Sequence, residues 1–459
     1  MTTHDDDLTI NPLFARPGET TQLPKFKIPD SAMLPETAYQ VIHDEAMLDG
    51  NARLNLATFV GTWMDPEAQK LYGETYDKNM IDKDEYPATA EIEERCWRIL
   101  ADLWNAPAPQ RAIGTSTIGS SEACMLGGLA MKRRWQNARR AAGQSTQQPN
   151  IVMSSAVQVC WEKFANYWDV EPRYVPVSAE HMSLDGHDLE SYVDENTIGV
   201  VAIMGVTYTG MYEPVDQIAA ALDRIQETKG WDIPIHVDAA SGGFVAPFLQ
   251  PEVKWDFRLK RVVSINTSGH KYGLVFPGVG WVVWRDSDQL PEDLVFKVSY
   301  LGGEMPTFAL NFSRPGAQVL LQYYNFLRLG RAGFTEVQES SQKVALYLSG
   351  EIASMDAFQL VSDGSDIPVF AWSLKDGYTK NWDLYDLSDQ LRQHGWLVPA
   401  YPMPDDLTDL TVQRVVVRNG LSMDLAQKLM DTIRNCVKFL DELPGPLPRS
   451  QASTHAFHH

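Results

Sequence analysis

The chain has 459 residues, 44% hydrophobic and 22% charged, with 60 acidic against 39 basic residues and a formal net charge of −21. That length holds more than one small domain with ample core, and the acidic surplus argues against nucleic acid or an anionic membrane surface as the main partner. The start lacks the basic and apolar run of a signal peptide, and no stretch is apolar for long enough to span a bilayer, so a cytoplasmic protein without integral membrane association is expected.

The N-terminal segment, residues 1–60, opens polar and proline-containing (Pro12, Pro17, Pro24, Pro29, Pro35) and reads as an arm. Between Glu91 and Leu103 the apolar positions Ile92, Cys96, Ile99, Leu100 and Leu103 recur at helical spacing. A loop of small residues from Gly114 to Ser121 then precedes a helical run from Glu122 to about Arg140. Short apolar strands follow at Ile151–Met153, Tyr174–Val177, Ile198–Met204, Ile235–Val237, Val262–Ile265 and Gly280–Trp284. Amphipathic helices such as Val215 to Glu227 lie between several of them. This alternation predicts a mostly parallel sheet covered on both faces, with 61–335 as the large α/β domain. After a long helical passage from Gly316 to Ser354 come strand Val369–Leu374, helix Leu384–His394, strands Trp396–Pro399 and Val412–Val417, and helix Met423–Leu443. That order predicts a small α+β domain with an antiparallel sheet over 336–443, followed by a tail at 444–459.

Three segments carry chemistry. Gly114–Ser121 offers small residues and hydroxyls before a helix start, which suits a phosphate; it suits an ordinary capped helix equally, and the missing lysine excludes a Walker A loop. Asp238 ends an apolar strand, where a carboxylate needs either a cation such as a protonated pyridine nitrogen or a turn to cap. Lys271, after Ser268-Gly269-His270 at another strand end, can form a Schiff base with an aldehyde. Together Asp238 and Lys271 point to pyridoxal 5'-phosphate. His270 could equally be a packed core histidine. Cys96, Cys124, Cys160 and Cys436 lack C-x-x-C spacing and read as reduced structural thiols, and the terminal His455, His458 and His459 read as a tail, so no metal is expected.

The stretches Asn51–Phe59, Ile118–Ala123, Tyr208-Thr209-Gly210, His236–Gly243 and Ser268–Lys271 occur in the order of the motifs of the bacterial and plant glutamate decarboxylases. The chain resembles that family, group II pyridoxal-phosphate decarboxylases of aspartate aminotransferase-like fold (fold type I), from about Leu23 to Leu443. The resemblance implies α-decarboxylation of L-glutamate to 4-aminobutyrate and CO2, consuming a proton, with a role in acid resistance or glutamate catabolism. It implies Lys271, Asp238 and His270 as catalytic residues, with Lys271 on the cofactor aldehyde and Asp238 on the pyridine nitrogen. Ser120, Ser121, Ser268 and His270 surround the phosphate, Gln158 stacks on the ring, and Thr207 lies at the cofactor's polar edge. Ser313 would reach the phosphate of the neighbouring subunit, making a homodimer the minimal working unit, alone or within a homohexamer. Thr58 and Phe59, with Asn79 and Asp82 from the partner chain, would hold the distal carboxylate, and Arg418 the α-carboxylate. His459 would close the site near neutrality, or else belongs to a tail or cloning remnant without function. Plant members bind calmodulin through a basic, Trp-containing extension; residues 444–459 have one arginine and no tryptophan, so no calmodulin binding is expected. The alternatives are another pyridoxal-phosphate enzyme of this fold or a catalytically silent scaffold.

Overall fold

The computed structural model describes residues 25–298, 305–379 and 381–447. Residues 1–24 of the N-terminal arm, and His459 with the end of the tail, therefore lie outside the described residues. The chain separates into two compact units, one through Asn55 and one from Leu56. The first contains helix α1 (Pro35–Ala46), begun by a proline at its first position, where the missing N–H costs nothing. This helix was not anticipated, although Tyr39, Ile42 and Ala46 stand at helical spacing.

The second unit opens with α2 (Pro66–Thr75) and α3 (Pro87–Leu103). Then come β1 (Ile113–Thr117), α4 (Ser120–Ala141), β2 (Asn150–Ser154), α5 (Val159–Tyr167), β3 (Glu171–Val175), β4 (Thr197–Ile203), α6 (Val215–Lys229), β5 (Ile235–Asp238), α7 (Ala246–Leu249), β6 (Val262–Ser268) and β7 (Gly280–Trp284). The seven strands form one sheet in the order β1-β7-β6-β5-β4-β2-β3. β2, β3, β4, β5 and β6 pair in parallel, while β7 runs antiparallel to both its neighbours. β2, β4, β6 and β7 are buried at every position, as continuous apolar strands covered on both faces must be. The loop expected from Gly114 is in fact β1: its Gly-Thr-Ser-Thr composition hides a strand, which is identified by its pairing with β7. α4 crosses the sheet so closely that a Cβ on Gly127 would run into the ring of His236 on β5.

A hairpin of β8 (Phe296–Val298) and β9 (Met305–Thr307) leads to α8 (Ala317–Ala353), which breaks once, at Gly330 with φ 56° and ψ −171°. β10 (Phe358–Ser362), β11 (Val369–Leu374), α9 (Leu384–Gln393), β12 (Ala400–Pro402), β13 (Thr411–Val416) and α10 (Met423–Asp441) complete the chain. The four strands form an antiparallel sheet in the order β10-β11-β13-β12. β10 was not foreseen, and the strand expected at Trp396–Pro399 begins at Ala400 instead. Among the described residues no helix is long and apolar enough to cross a membrane.

For the site, the decisive feature is direction. Because β4, β5 and β6 are parallel neighbours, their last residues Ile203, Asp238 and Ser268 emerge at one edge of the sheet, where open α/β sheets bind ligands.

Candidate active site

A cavity of about 190 Å³ opens at that edge. Its first wall is the N-terminus of α4. Ser120 and Ser121 are the first residues of the helix, where N–H groups lack helical partners, and the Ser120 hydroxyl meets that of Ser268 at the end of β6. The buried Glu122 fixes this turn: it accepts from Ile118 N at 2.9 Å and from Leu310 N and Asn311 N at 2.9 and 3.2 Å. His270 lines the cavity too. Its Nδ1 accepts from Val279 N at 3.3 Å, and burial, helped by the charge of Lys271, lowers its pKa to about 4. The ring is therefore neutral, with its hydrogen on Nε2.

Opposite lies Asp238, 4% exposed. Its Oδ1 accepts from Ala240 N and Asn266 Nδ2, both at 3.1 Å, and its Oδ2 from Trp161 Nε1 at 2.9 Å and Cys124 Sγ at 3.4 Å. Four donors on one carboxylate suit an anion held in a fixed plane. Sequence reading took Cys124 and Cys160 as structural, yet Cys124 touches Asp238 and Cys160 lines the cavity. The ligand atoms of Cys124, Cys160 and Asp238 lie within 4.8 Å of one another.

Lys271 Nζ stands 3.3 Å from Ser241 Oγ and 4.9 Å from the centre of the Phe59 ring. Burial pulls its amine below the usual lysine value, a shift that the Asp238 carboxylate opposes. A lowered pKa raises the fraction of free amine, the nucleophilic form. Gln158 and Thr207 close the remaining sides, Gln158 capping α5 through Cys160 N at 2.6 Å. The Thr58–Phe59 segment is stitched beside Lys271 by Gly61 N donating to His270 O at 2.8 Å, and Thr58 Oγ1 accepts from Val60 N at 3.3 Å.

Arg414 stands beside Phe59 as well. Its guanidinium lies 5.0 Å from the Phe59 ring centre and donates to the Thr207 carbonyl. Arg418, the residue expected there, donates to Val60 O and lines a separate surface depression with Arg328 and Glu336. Asn79, Asp82 and Ser313 gather with one another instead of lining the Lys271 cavity: Asn79 Nδ2 donates to Asp82 Oδ2 at 2.9 Å and to Ser313 Oγ at 3.3 Å. The neighbouring Arg314 anchors this loop by a buried ion pair with Glu93 at 3.0 Å, and Glu93 also accepts from Ser116 N at 2.9 Å on β1.

One cavity thus holds an anion-binding helix start, an amine and a carboxylate on separate walls. That donor set fits a phosphorylated pyridine aldehyde, whose phosphate, aldehyde and ring nitrogen need those three partners.

Comparison with known proteins gives an independent view. Residues 29–375 match the model of the pyridoxal-dependent decarboxylase conserved domain. A glutamate decarboxylase of Aliivibrio fischeri is 50% identical over 455 residues, covering 99% of this chain and 98% of the relative. One of Lactococcus lactis is 50% identical over 440 residues, covering 95% and 94%. The solved structure of a Lactobacillus brevis glutamate decarboxylase superposes with a TM-score of 0.91 at 50% identity, covering 95% of this chain and 99% of that one.

Proposed function

The chain belongs to the pyridoxal-dependent decarboxylases, and from that premise we propose that it converts L-glutamate to 4-aminobutyrate and carbon dioxide, consuming one proton per turnover. Its fold is aspartate aminotransferase-like, and its cofactor is pyridoxal 5'-phosphate. The observation that carries the reading is the meeting of Lys271, Asp238 and the start of α4 in one cavity of a chain half identical, over nearly its whole length, to glutamate decarboxylases.

When bound, the cofactor supplies an electron sink for the pair released as the Cα–carboxylate bond breaks. The chain supplies the rest. Ser120, Ser121, Ser268 and His270 would hold the phosphate at the start of α4, and Asp238 would accept from the ring nitrogen. Lys271 would take the aldehyde. Gln158 would pack on the ring, with Thr207 near its polar groups. Arg414 takes the place first given to Arg418: its cationic group beside Phe59 and Lys271 can hold the α-carboxylate. The Lys271 amine, hydrogen-bonded to Ser241, is placed to hold the proton that replaces carbon dioxide at Cα.

We further propose a site shared between two copies of the chain. Thr58 precedes Phe59, whose ring stands beside Lys271 of the same chain, while Asn79, Asp82 and Ser313 cluster with one another outside the lining of their own cavity, as residues serving a partner's cavity would. The reaction belongs in the cytoplasm, where the four buried free thiols stay reduced. Purified protein given L-glutamate and pyridoxal phosphate should release 4-aminobutyrate and carbon dioxide in equal amounts; absence of both products ends the reading. Inactive Lys271→Ala and Asp82→Ala chains, mixed, should recover activity. If mixed dimers form without recovery, the shared site is wrong.

A further inference from the structure

Asp238 ends a line of polar side chains buried between β5 and β6. Asn266 Nδ2 lies 3.1 Å from Asp238 Oδ1, Asn266 Oδ1 lies 2.7 Å from His236 Nε2, and His236 Nδ1 lies 2.7 Å from Ser264 Oγ. His236, Asn266 and Ser264 are wholly buried. Donor and acceptor chemistry assigns every hydrogen along this line. An ionised carboxylate only accepts, so the amide nitrogen of Asn266 faces Asp238 and its oxygen faces His236. That oxygen requires a hydrogen on Nε2. A neutral ring then leaves Nδ1 bare, and Ser264 must donate to it. All three bonds point toward Asp238.

The histidine sits in a niche built for it. Gly127 on α4 leaves room for its ring, and Trp161 packs edge-on at 5.1 Å while donating to the other oxygen of Asp238. Burial lowers the His236 pKa to about 4, so the ring stays neutral and the direction of the line is kept.

We propose that Ser264, His236 and Asn266 form a one-way hydrogen-bond relay that locks the Asp238 carboxylate in the plane from which it meets the cofactor's ring nitrogen. This rests on the pyridoxal-phosphate reading above. The relay residues touch neither cofactor nor substrate; they are positioning residues. Without the donor on His236, the Asn266 amide is free to turn and set its oxygen against Asp238, which pushes the carboxylate out of place.

Two measurements test this, the first without cofactor. Nitrogen NMR of histidine-labelled apoprotein at neutral pH should show His236 as the neutral Nε2–H tautomer; the Nδ1–H tautomer or a charged ring overturns the relay. Second, His236→Phe, which keeps the ring shape and lacks the donor, should bind pyridoxal phosphate more weakly and lose roughly tenfold or more in kcat with the KM for glutamate unchanged. His236→Gln, whose amide places an N–H near the Nε2 position, should recover most of both. A folded His236→Phe protein with wild-type cofactor affinity and kcat refutes the proposal. So does a loss that His236→Gln fails to reverse, because the donor is then not what matters. Should His236→Phe not fold, the tautomer and the Gln variant decide. Wild-type protein that binds no pyridoxal phosphate would sink the cofactor reading instead, leaving the tautomer test of the relay intact.

Discussion

Two buried carboxylates sit near the same edge of the large sheet and have opposite surroundings. Asp238, 4% exposed, receives four hydrogen bonds and faces a cavity that also contains the Lys271 amine. Glu213, 1% exposed in the turn between β4 and α6, receives two, from Ile203 N at 2.7 Å and Leu184 N at 3.2 Å. Burial pushes Glu213 up to about 8, against the pull of those two bonds. It is therefore a neutral acid at neutral pH. Burial alone does not decide the charge of a carboxylate; the donors and cations gathered around it do. One carboxylate is furnished to meet a cation, and the other closes a turn.

Removing the charge of Asp238 should break this contrast with the largest effect. Asp238→Asn should fold, as judged by circular dichroism, bind pyridoxal phosphate weakly and lose two orders of magnitude or more in kcat, since deleting one partner of a buried charge pair costs about 3–5 kcal/mol. Near-normal turnover would contradict its role.

Glu213 sharpens the contrast through pH. The folded protein keeps the Glu213 proton up to about pH 8, whereas the unfolded chain releases it near 4.5. Between those values the native state binds more protons, so this contribution is full below pH 4.5 and is lost as pH rises toward 8. His236 and His270 act oppositely. Folded, they stay neutral down to about 4, while unfolded histidine takes its proton at 6.5, so their contribution is full above 6.5 and is lost as pH falls toward 4. Denaturant titrations of Glu213→Gln should show less decline than wild type between pH 5 and 8, the difference reaching on the order of a few kcal/mol. Parallel curves would mean that Glu213 is ionised after all.

Trp161→Phe removes one of the four donors on Asp238. A hydrogen bond to a charged group contributes about 1.5–3 kcal/mol, so kcat should fall roughly tenfold or more with the fold intact. Cys124→Ser should be the mildest change, because a hydroxyl replaces a weak thiol donor; its kcat should stay within about threefold of wild type. A large loss in that variant would mean that the thiol's size, more than its hydrogen bond, holds Asp238 in place.

Of the parallel strands, β2, β4, β5 and β6 were legible from their apolar runs, whereas β3 was expected at Tyr174–Val177 and begins at Glu171, because its Glu-Pro-Arg start is polar. β1 and β10 were not legible. β1 is small and polar, and β10 is a partly exposed edge strand with Gln359 and Ser362. Lys271 and Asp238 stood out because each is an ionisable group closing an apolar strand. Arg414 did not: it and Arg418 are four positions apart among valines, and along an extended chain such positions share a face, so the pattern could not choose between them. The register separates them, pairing Arg414 with Ala371 inside the sheet, whereas Arg418 follows the strand's end. The clamps made by Glu93, Glu122 and Glu213 join segments far apart in sequence, and no local signal announces such contacts.

The break in α8 gives the helix beyond it the part of a gauge. Past Gly330 the helix is fastened next to Lys271 by Gln338, which donates to Tyr272 O at 2.9 Å. Farther on, Ser349 donates to Asp363 O at 2.7 Å, in the loop between β10 and β11. Eleven positions separate the two fastenings, about 16 Å of unbroken helix. That span links the loop beside the sheet bearing Arg414 to the residue after Lys271, alongside the direct bonds that Ser362 and Tyr401 make to the carbonyls of Thr209 and Tyr208. Adding one residue within it would advance the far fastening by about 1.5 Å and turn it by about 100°, so the length of this stretch is as much a specification of the site as any residue inside the cavity.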